Sequence, residues 1–396
     1  MKNVYIIDSI RTAIGRMGGT LKDELVDFLA ATVIQEIVDR TGEEIEVDEV
    51  ILGQTKQSSD SANLGRLAAL RAGLPVDVPG YTVHRQCGSG LQAINNAHMQ
   101  IQLGLSDVII AGGAESMSTA PYYIRNARYG YGAGNGLLLD PNTESQPRSQ
   151  PIEQYGNLTM GMTAENLAEK YSISRLEQDE FALRSQELAQ SAIDKGLFED
   201  EIVDYEVKTR KGFITFNQDE HPRETSLEKL SKLPAVFKEG GTVTPGNSTG
   251  RNDGASVVLM MSESKAVQYN LKPKAKIIAH AISGVSPDIM GIGPVYSTQK
   301  ALKQCHLTLD DIGLIELNEA FASQVIAVIK EANFDINKVN VNGGAIALGH
   351  PLGATGSVLM TKLLHDMERK NVRYGLVTLC IGGGQGITTV IENLNI

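Results

Sequence analysis

Short apolar runs rich in Val and Ile alternate along this chain with stretches whose apolar residues recur at helical spacing. That is the pattern of a layered α/β fold. Val4–Asp8, Val50–Leu52, Val108–Ala111 and Ser256–Met261 predict four strands. Lys276–Ala281, Leu314–Leu317, Leu376–Leu379 and Ile387–Ile391 predict four more. Leu91, Ile94, Ala97 and Ile101 fall near helical spacing, so a helix is expected from Leu91 to Leu103. Ser174 with Glu177 forms a capping box ahead of an amphipathic helix reaching Ala192. Ala320–Ala332 and Ser357–Met367 read as two further helices with a buried face.

The order of these elements repeats. An acidic segment leads to the strand at Val50, then to Cys87 on a glycine-rich turn, a helix, and the strand from Val108 ending in glycines. Asp310 and Asp311 lead to the strand at Leu314, then to His350 on a glycine-rich turn, a helix, and a strand ending in Cys380 and three glycines. Cys87 lies 36 positions after Ile51, and His350 lies 35 after Ile315. Two similar α/β halves are therefore expected, with their glycine-rich turns facing a shared cleft. The expected division is residues 1–117 with 250–270, an inserted loop domain over 118–249, and a second half over 271–396. An insertion of that length is where substrate recognition or subunit contacts tend to lie.

Composition narrows the function. With 42 % hydrophobic residues and no tryptophan, the core must be mostly aliphatic. A net charge of −11 with no basic stripe argues against a nucleic-acid partner. No apolar run approaches a membrane span, and the first residues run straight into a strand without a signal-like segment. Three cysteines give no disulfide framework. A cytoplasmic protein is expected.

The candidate chemistry sits in the glycine clusters. Of three cysteines and seven histidines, Cys87, Cys380 and His350 lie in the most glycine-dense segments of the chain. Glycines let backbone N–H groups approach a ligand closely. Cys87, just before a helix, is expected to have a lowered pKa. Cys305 and the histidines at 84, 98, 280, 306 and 365 lack such settings and read as structural or surface residues. The Cys and His spacings do not suit a metal site. A hydrolase needs one nucleophile, one base and an orienter, so a second placed thiol implies a second proton transfer, such as one at carbon beside a thioester.

With these motifs the chain resembles the thiolase family over essentially its whole length. Arg85-Gln-Cys87-Gly-Ser-Gly-Leu91 is similar to the family's nucleophile loop, and Asn318-Glu-Ala-Phe321 to its Asn-Glu-Ala-Phe motif. The segments 340–356 around His350 and 379–386 around Cys380 resemble its histidine and second-cysteine signatures. Segments 160–166 and 241–247 are further shared landmarks. The resemblance implies a fold of two α-β-α-β-α halves with an inserted loop domain. It implies that Cys87 is acylated, that His350 takes its proton, and that Cys380 exchanges a proton with the α-carbon of acetyl-CoA. One oxyanion hole would use His350 and a water held by Asn318, the other the N–H groups of Cys87 and Gly382. No metal or prosthetic group is implied, since coenzyme A and acyl-CoA are substrates. Arg223 would lie beside the nucleotide, and Thr249, Met160, Met290 and Phe321 would line the thioester and pantetheine pocket. A homodimer or homotetramer is implied as well.

The chain departs from the family's pattern at a few places. Thr159 stands where biosynthetic members commonly have histidine, and Ala13, His84, Thr249 and Arg251 replace commoner residues. The Thr159 change favours a degradative 3-ketoacyl-CoA thiolase over an acetyl-CoA acetyltransferase. A ketoacyl synthase would use Cys with two His, or with His and Asn, and Cys380 argues against it. A nicotinamide-dependent oxidoreductase would need a Gly-x-Gly-x-x-Gly after its first strand, which this chain lacks.

Overall fold

The structure is a computed structural model and describes residues 2–42 and 45–396. Eight strands carry the fold: β1 (Val4–Thr12), β2 (Glu49–Gly53), β3 (Val108–Ser116), β4 (Asn252–Ser262), β5 (Ala275–Gly284), β6 (Leu314–Leu317), β7 (Tyr374–Ile381) and β8 (Gln385–Asn393). All eight lie where the apolar runs predict them, mostly longer. The sequence pattern misses the short edge strand Gly80–Val83 and the hairpin of Tyr205–Thr209 with Gly212–Phe216.

The repeat expected from the sequence is present in the strand order. One half runs β2-β3-β4-β1 and the other β6-β7-β8-β5. In each, the first two strands are parallel and the others antiparallel. The halves meet where β1 pairs with β5 over a short antiparallel contact, Tyr5 with Lys276 and Ile6 with Ala275.

Side chains on alternate positions of these strands enter different cores, as a pleated strand buried on both faces requires. Ile109 and Ala111 of β3 join Leu363 and Leu379 in a central core holding the helices Ser89–Leu103 and Thr355–Lys370. Val108 and Ile110 face the opposite way, onto the helix Val26–Thr41. Leu376 of β7 and Val390 of β8 join a third core beneath the helices Gly293–Cys305 and Ala322–Ala332. The two helices that follow Cys87 and His350 therefore share the middle layer, and their N-terminal ends come together.

β3 continues past its predicted end at Ala111 through Gly112, Gly113, Ala114 and Glu115. A Cβ on Gly113 would lie 2.0 Å from the Gly353 carbonyl oxygen, so the backbone of the histidine turn packs directly on this strand.

A buried ion pair fixes the second half. Lys362 Nζ donates to Glu316 Oε2 at 2.9 Å and to the Gly343 carbonyl at 2.7 Å, joining the Thr355–Lys370 helix to β6 and to the loop leading to His350. Burial pushes the Glu316 carboxyl up to about 7 in spite of Lys362. Removing one partner leaves the other charge stranded in the core. Lys362→Met is expected to cost about 3–5 kcal/mol in a chemical denaturation curve. A cost below about 1 kcal/mol would mean that the pair contributes nothing net.

Candidate active site

Cys87 stands immediately before Gly88, the N-cap of the Ser89–Leu103 helix. Its turn is held from both sides by Ser89, whose hydroxyl accepts from the Arg85 N–H at 2.8 Å and donates to the Gln86 carbonyl at 2.6 Å. Gln86 has φ 45°, an uncommon left-handed value for a residue with a side chain. This sharp bend presents Cys87 to the cleft.

His350 is placed by a second turn. Gly349 has φ 109°, and the His350 N–H donates to Asn252 Oδ1 at 2.9 Å. The Thr355 hydroxyl donates to the Pro351 carbonyl at 2.9 Å. Its oxygen is then free to accept from His350 Nδ1, 2.6 Å away. That arrangement puts the proton on Nδ1 and leaves Nε2 as the basic nitrogen facing the cleft. Asn318 Nδ2 lies 3.4 Å from that Nε2, and Asn318 Oδ1 is buried without a protein partner among the described residues. The two turns touch through backbone. A Cβ on Gly356 would lie 2.3 Å from the Leu91 nitrogen, so only glycine permits the approach.

Cys380 lies near the end of β7, and the turn after it passes through Gly383 and Gly384 at φ 88° and 83°. This brings the Gly382 N–H near enough to the Cys87 sulfur to favour its thiolate, as the N–H of Cys87 itself does. Cys87, His350, Cys380 and Gly382 all line one cavity of about 200 Å³. Met160, Thr249, Met290 and Phe321 line it too, and Phe321, Met290 and Met160 pack around Cys380. Among the described residues no group of His, Cys, Asp and Glu is placed to hold a metal ion.

Electrostatics correct one expectation. The Cys87 thiol is pushed up from its ordinary value, because burial outweighs the Gly382 and Cys87 N–H groups and the Lys56 ammonium that favour the thiolate. Burial draws His350 down to about 4. The resting pair is therefore a neutral thiol beside a neutral imidazole. Alkylation of Cys87 by iodoacetamide, followed on its peptide by mass spectrometry, is expected to rise about tenfold per pH unit through neutrality without a plateau. A plateau below pH 7 would reveal a thiolate–imidazolium pair instead. Cys380 is also pushed up, chiefly by burial, and would rise further whenever Cys87 is ionised.

Arg223 is not part of this cavity. It adjoins a separate surface depression with Gln186 and Glu187. Its guanidinium lies 3.4 Å from His221, whose ring packs on Gly250 at the cavity wall. Sequence reasoning missed Thr355, Asn252 and Lys56. Thr355 lies inside the segment around His350 that the sequence singles out and Asn252 follows Arg251, so their presence was visible but not their bonds. Lys56 carries no local signal at all.

Residues 4–264 match the family described as Thiolase, N-terminal domain, and residues 271–393 match Thiolase, C-terminal domain. The chain is 48% identical to the acetyl-CoA acetyltransferase of Escherichia coli (strain K12), over 100% of each chain. The crystal structure of the Bacillus anthracis acetyl-CoA acetyltransferase aligns with a TM-score of 0.96 at 47% identity, covering 100% of this chain and 99% of that one. Human mitochondrial 3-ketoacyl-CoA thiolase aligns at 0.94 and 44% identity, covering 99% of both chains. With nearly half its positions shared over the full length of enzymes bearing both names, the chain belongs to the thiolase family of acyltransferases.

Proposed function

We propose that this thiolase cleaves 3-ketoacyl-CoAs with coenzyme A, the acyl group passing through a thioester on Cys87. The convergence of Cys87, His350 and Cys380 on one cavity carries this reading. His350 Nε2 takes the Cys87 proton as the sulfur attacks the keto carbonyl. Collapse of the resulting alkoxide breaks the carbon–carbon bond and leaves the acyl group on Cys87. The departing acetyl-CoA enolate takes the proton of Cys380. His350 then passes its proton to the Cys380 thiolate, takes the thiol proton of coenzyme A as that sulfur attacks the acyl-enzyme, and hands it to the expelled Cys87 sulfur. Every proton borrowed is returned, so no metal or prosthetic group enters.

The carbonyl attacks and the departing enolate each develop negative oxygen, and preorganised donors are worth about 3 kcal/mol each at such positions. The N–H groups of Cys87 and Gly382 supply one set. His350 and a water held by Asn318 supply the other, a role supported by the unpartnered Asn318 Oδ1 beside the imidazole. The apolar group of Met160, Met290 and Phe321 suits the thioester and pantetheine, with Thr249 on the same wall. Arg223, behind His221, is available to the nucleotide phosphates at the edge.

The degradative direction is favoured by Thr159, which is used as the N-cap of the helix Met160–Lys170, its hydroxyl accepting from the Met162 N–H. A cytoplasmic homo-oligomer, dimer or tetramer, completes the proposal. No helix among the described residues is long and apolar enough to cross a membrane. Tyr122, Ile124, Leu137 and Leu138 are exposed on one segment, as a subunit contact would need. Thiolysis of 3-ketoacyl-CoAs of increasing length is the test, and activity beyond acetoacetyl-CoA is expected. Activity confined to acetoacetyl-CoA would make the enzyme an acetyl-CoA acetyltransferase. No cleavage at any length by folded protein would overturn the reading.

A further inference from the structure

The reaction just described leaves one buried charge in the catalytic cavity without a task. Lys56 is 8% exposed and lines the cavity with Cys87. Its ammonium donates to Ser145 Oγ at 2.6 Å and, over 3.4 Å, to the Pro141 carbonyl. Among the described residues no carboxylate lies within ion-pair distance of it. The nearby carboxylates are engaged elsewhere. Glu115 accepts from the N–H groups of Thr55, Lys56 and Gly353 and from the Thr55 hydroxyl. Asp140 accepts from the Asn142 N–H and the Thr143 hydroxyl, and faces Arg251 at 3.6 Å. Burial draws Lys56 below the ordinary lysine value, with Glu115 opposing that and Arg251 adding to it. A buried ammonium without a counter-ion is unfavourable, and an anionic ligand group would relieve it.

The surroundings of Lys56 are polar and continuous with the nucleophile turn. The Ser149 hydroxyl donates to the Ser145 carbonyl at 3.0 Å, and Gln86 Nε2 donates to Ser149 Oγ at 3.2 Å. Asn142 Oδ1 is buried there without a protein partner. This face differs from the apolar group of Met160, Met290, Ala320 and Phe321 around Cys380. In the cleavage reaction the acetyl part departs at Cys380. The part retained on Cys87 is the one left to meet the polar face.

We infer that this polar face is the acyl-chain subsite and that Lys56 receives a carboxylate at the far end of a short chain. The preferred substrates would then be 3-ketoacyl-CoAs with a carboxylate-ended acyl group. The inference rests on the thiolase reading above for the acyl group's attachment to Cys87. Its test is binding without turnover. The Cys87→Ala protein is titrated by calorimetry with succinyl-, glutaryl- and adipyl-CoA, each beside its methyl-ended partner, butyryl-, pentanoyl- and hexanoyl-CoA. At least one carboxylate-ended ligand is expected to bind about tenfold tighter than its partner. Lys56→Met in the same background is expected to erase the difference. Equal binding of both series with Lys56 present overturns the inference, and that comparison needs no Lys56 variant to fold. A preference that survives Lys56→Met overturns it as well. Because no turnover is read, a failure here is distinct from failure of thiolysis in the chain-length assay.

Discussion

Replacement of Cys87 by alanine is expected to lower thiolysis by about five orders of magnitude, and His350→Ala by nearly as much, with the double variant no worse than either. The first loss follows from chemistry, since Cys87 carries the sulfur that the Gly382 and Cys87 N–H groups favour as a thiolate. The second follows from the neutral resting pair. Burial raises the Cys87 thiol and lowers His350, so a reactive sulfur exists only while Nε2 is taking its proton. Without the imidazole the cysteine is a poor nucleophile at neutral pH. Without the cysteine the imidazole has no proton to take. Two groups that act as a unit are not additive. Steady-state thiolysis of the two single variants and the double variant checks this. A double variant slower than either single one by the product of their losses would mean that His350 serves mainly as an oxyanion donor, independent of Cys87.

That dependence also marks what could be read before the fold was known. The eight main strands were legible because each carries a run of apolar residues, whereas Gly80–Val83, the Tyr205–Phe216 hairpin and the two-residue strands Gly15–Arg16 and Ile202–Val203, short, partly polar or exposed, escaped. The reactive residues were legible because glycine turns present them, and glycines of the His350 segment sit where backbones touch, as at Gly353 and Gly356. The Cys87 pKa was misread for a definite reason. The amide donors near the helix start are local and visible in the sequence, whereas the burial that outweighs them comes from residues far away in the chain. Thr355 shows the same divide. Its place five residues after His350 is plain, but its bond to Nδ1 depends on the bend at Pro351. Lys56 and Glu115 lie beyond any sequence signal, since a lysine in Gln-Thr-Lys-Gln and a glutamate after glycines both read as surface. Arg223 was placed by resemblance alone, and the structure puts it outside the cavity, with His221 between.

Cys380→Ala is expected to divide the reaction. Cleavage of 3-ketoacyl-CoA should fall by about two to four orders of magnitude, the range for loss of a placed acid or base. Transfer of an acyl group from a simple acyl-CoA to Cys87 should fall far less, because that step uses only Cys87, His350 and the N–H donors. The direction of the Cys380 shift explains why this thiol suits its task. Burial resists its ionisation, so at neutral pH it holds its proton until an enolate, a much stronger base than water, arrives beside it. A thiol with an ordinary pKa would already be partly ionised and would repel that enolate. In the cavity Cys380 is enclosed by Met290, Ala320 and Phe321, which also keep water from protonating the enolate in its place. Intact-protein mass spectrometry after mixing with acetyl-CoA reads acyl transfer to Cys87 alone, and thiolysis reads the whole reaction. Equal loss in both would make Cys380 a structural support for the Cys87 turn rather than the second proton carrier.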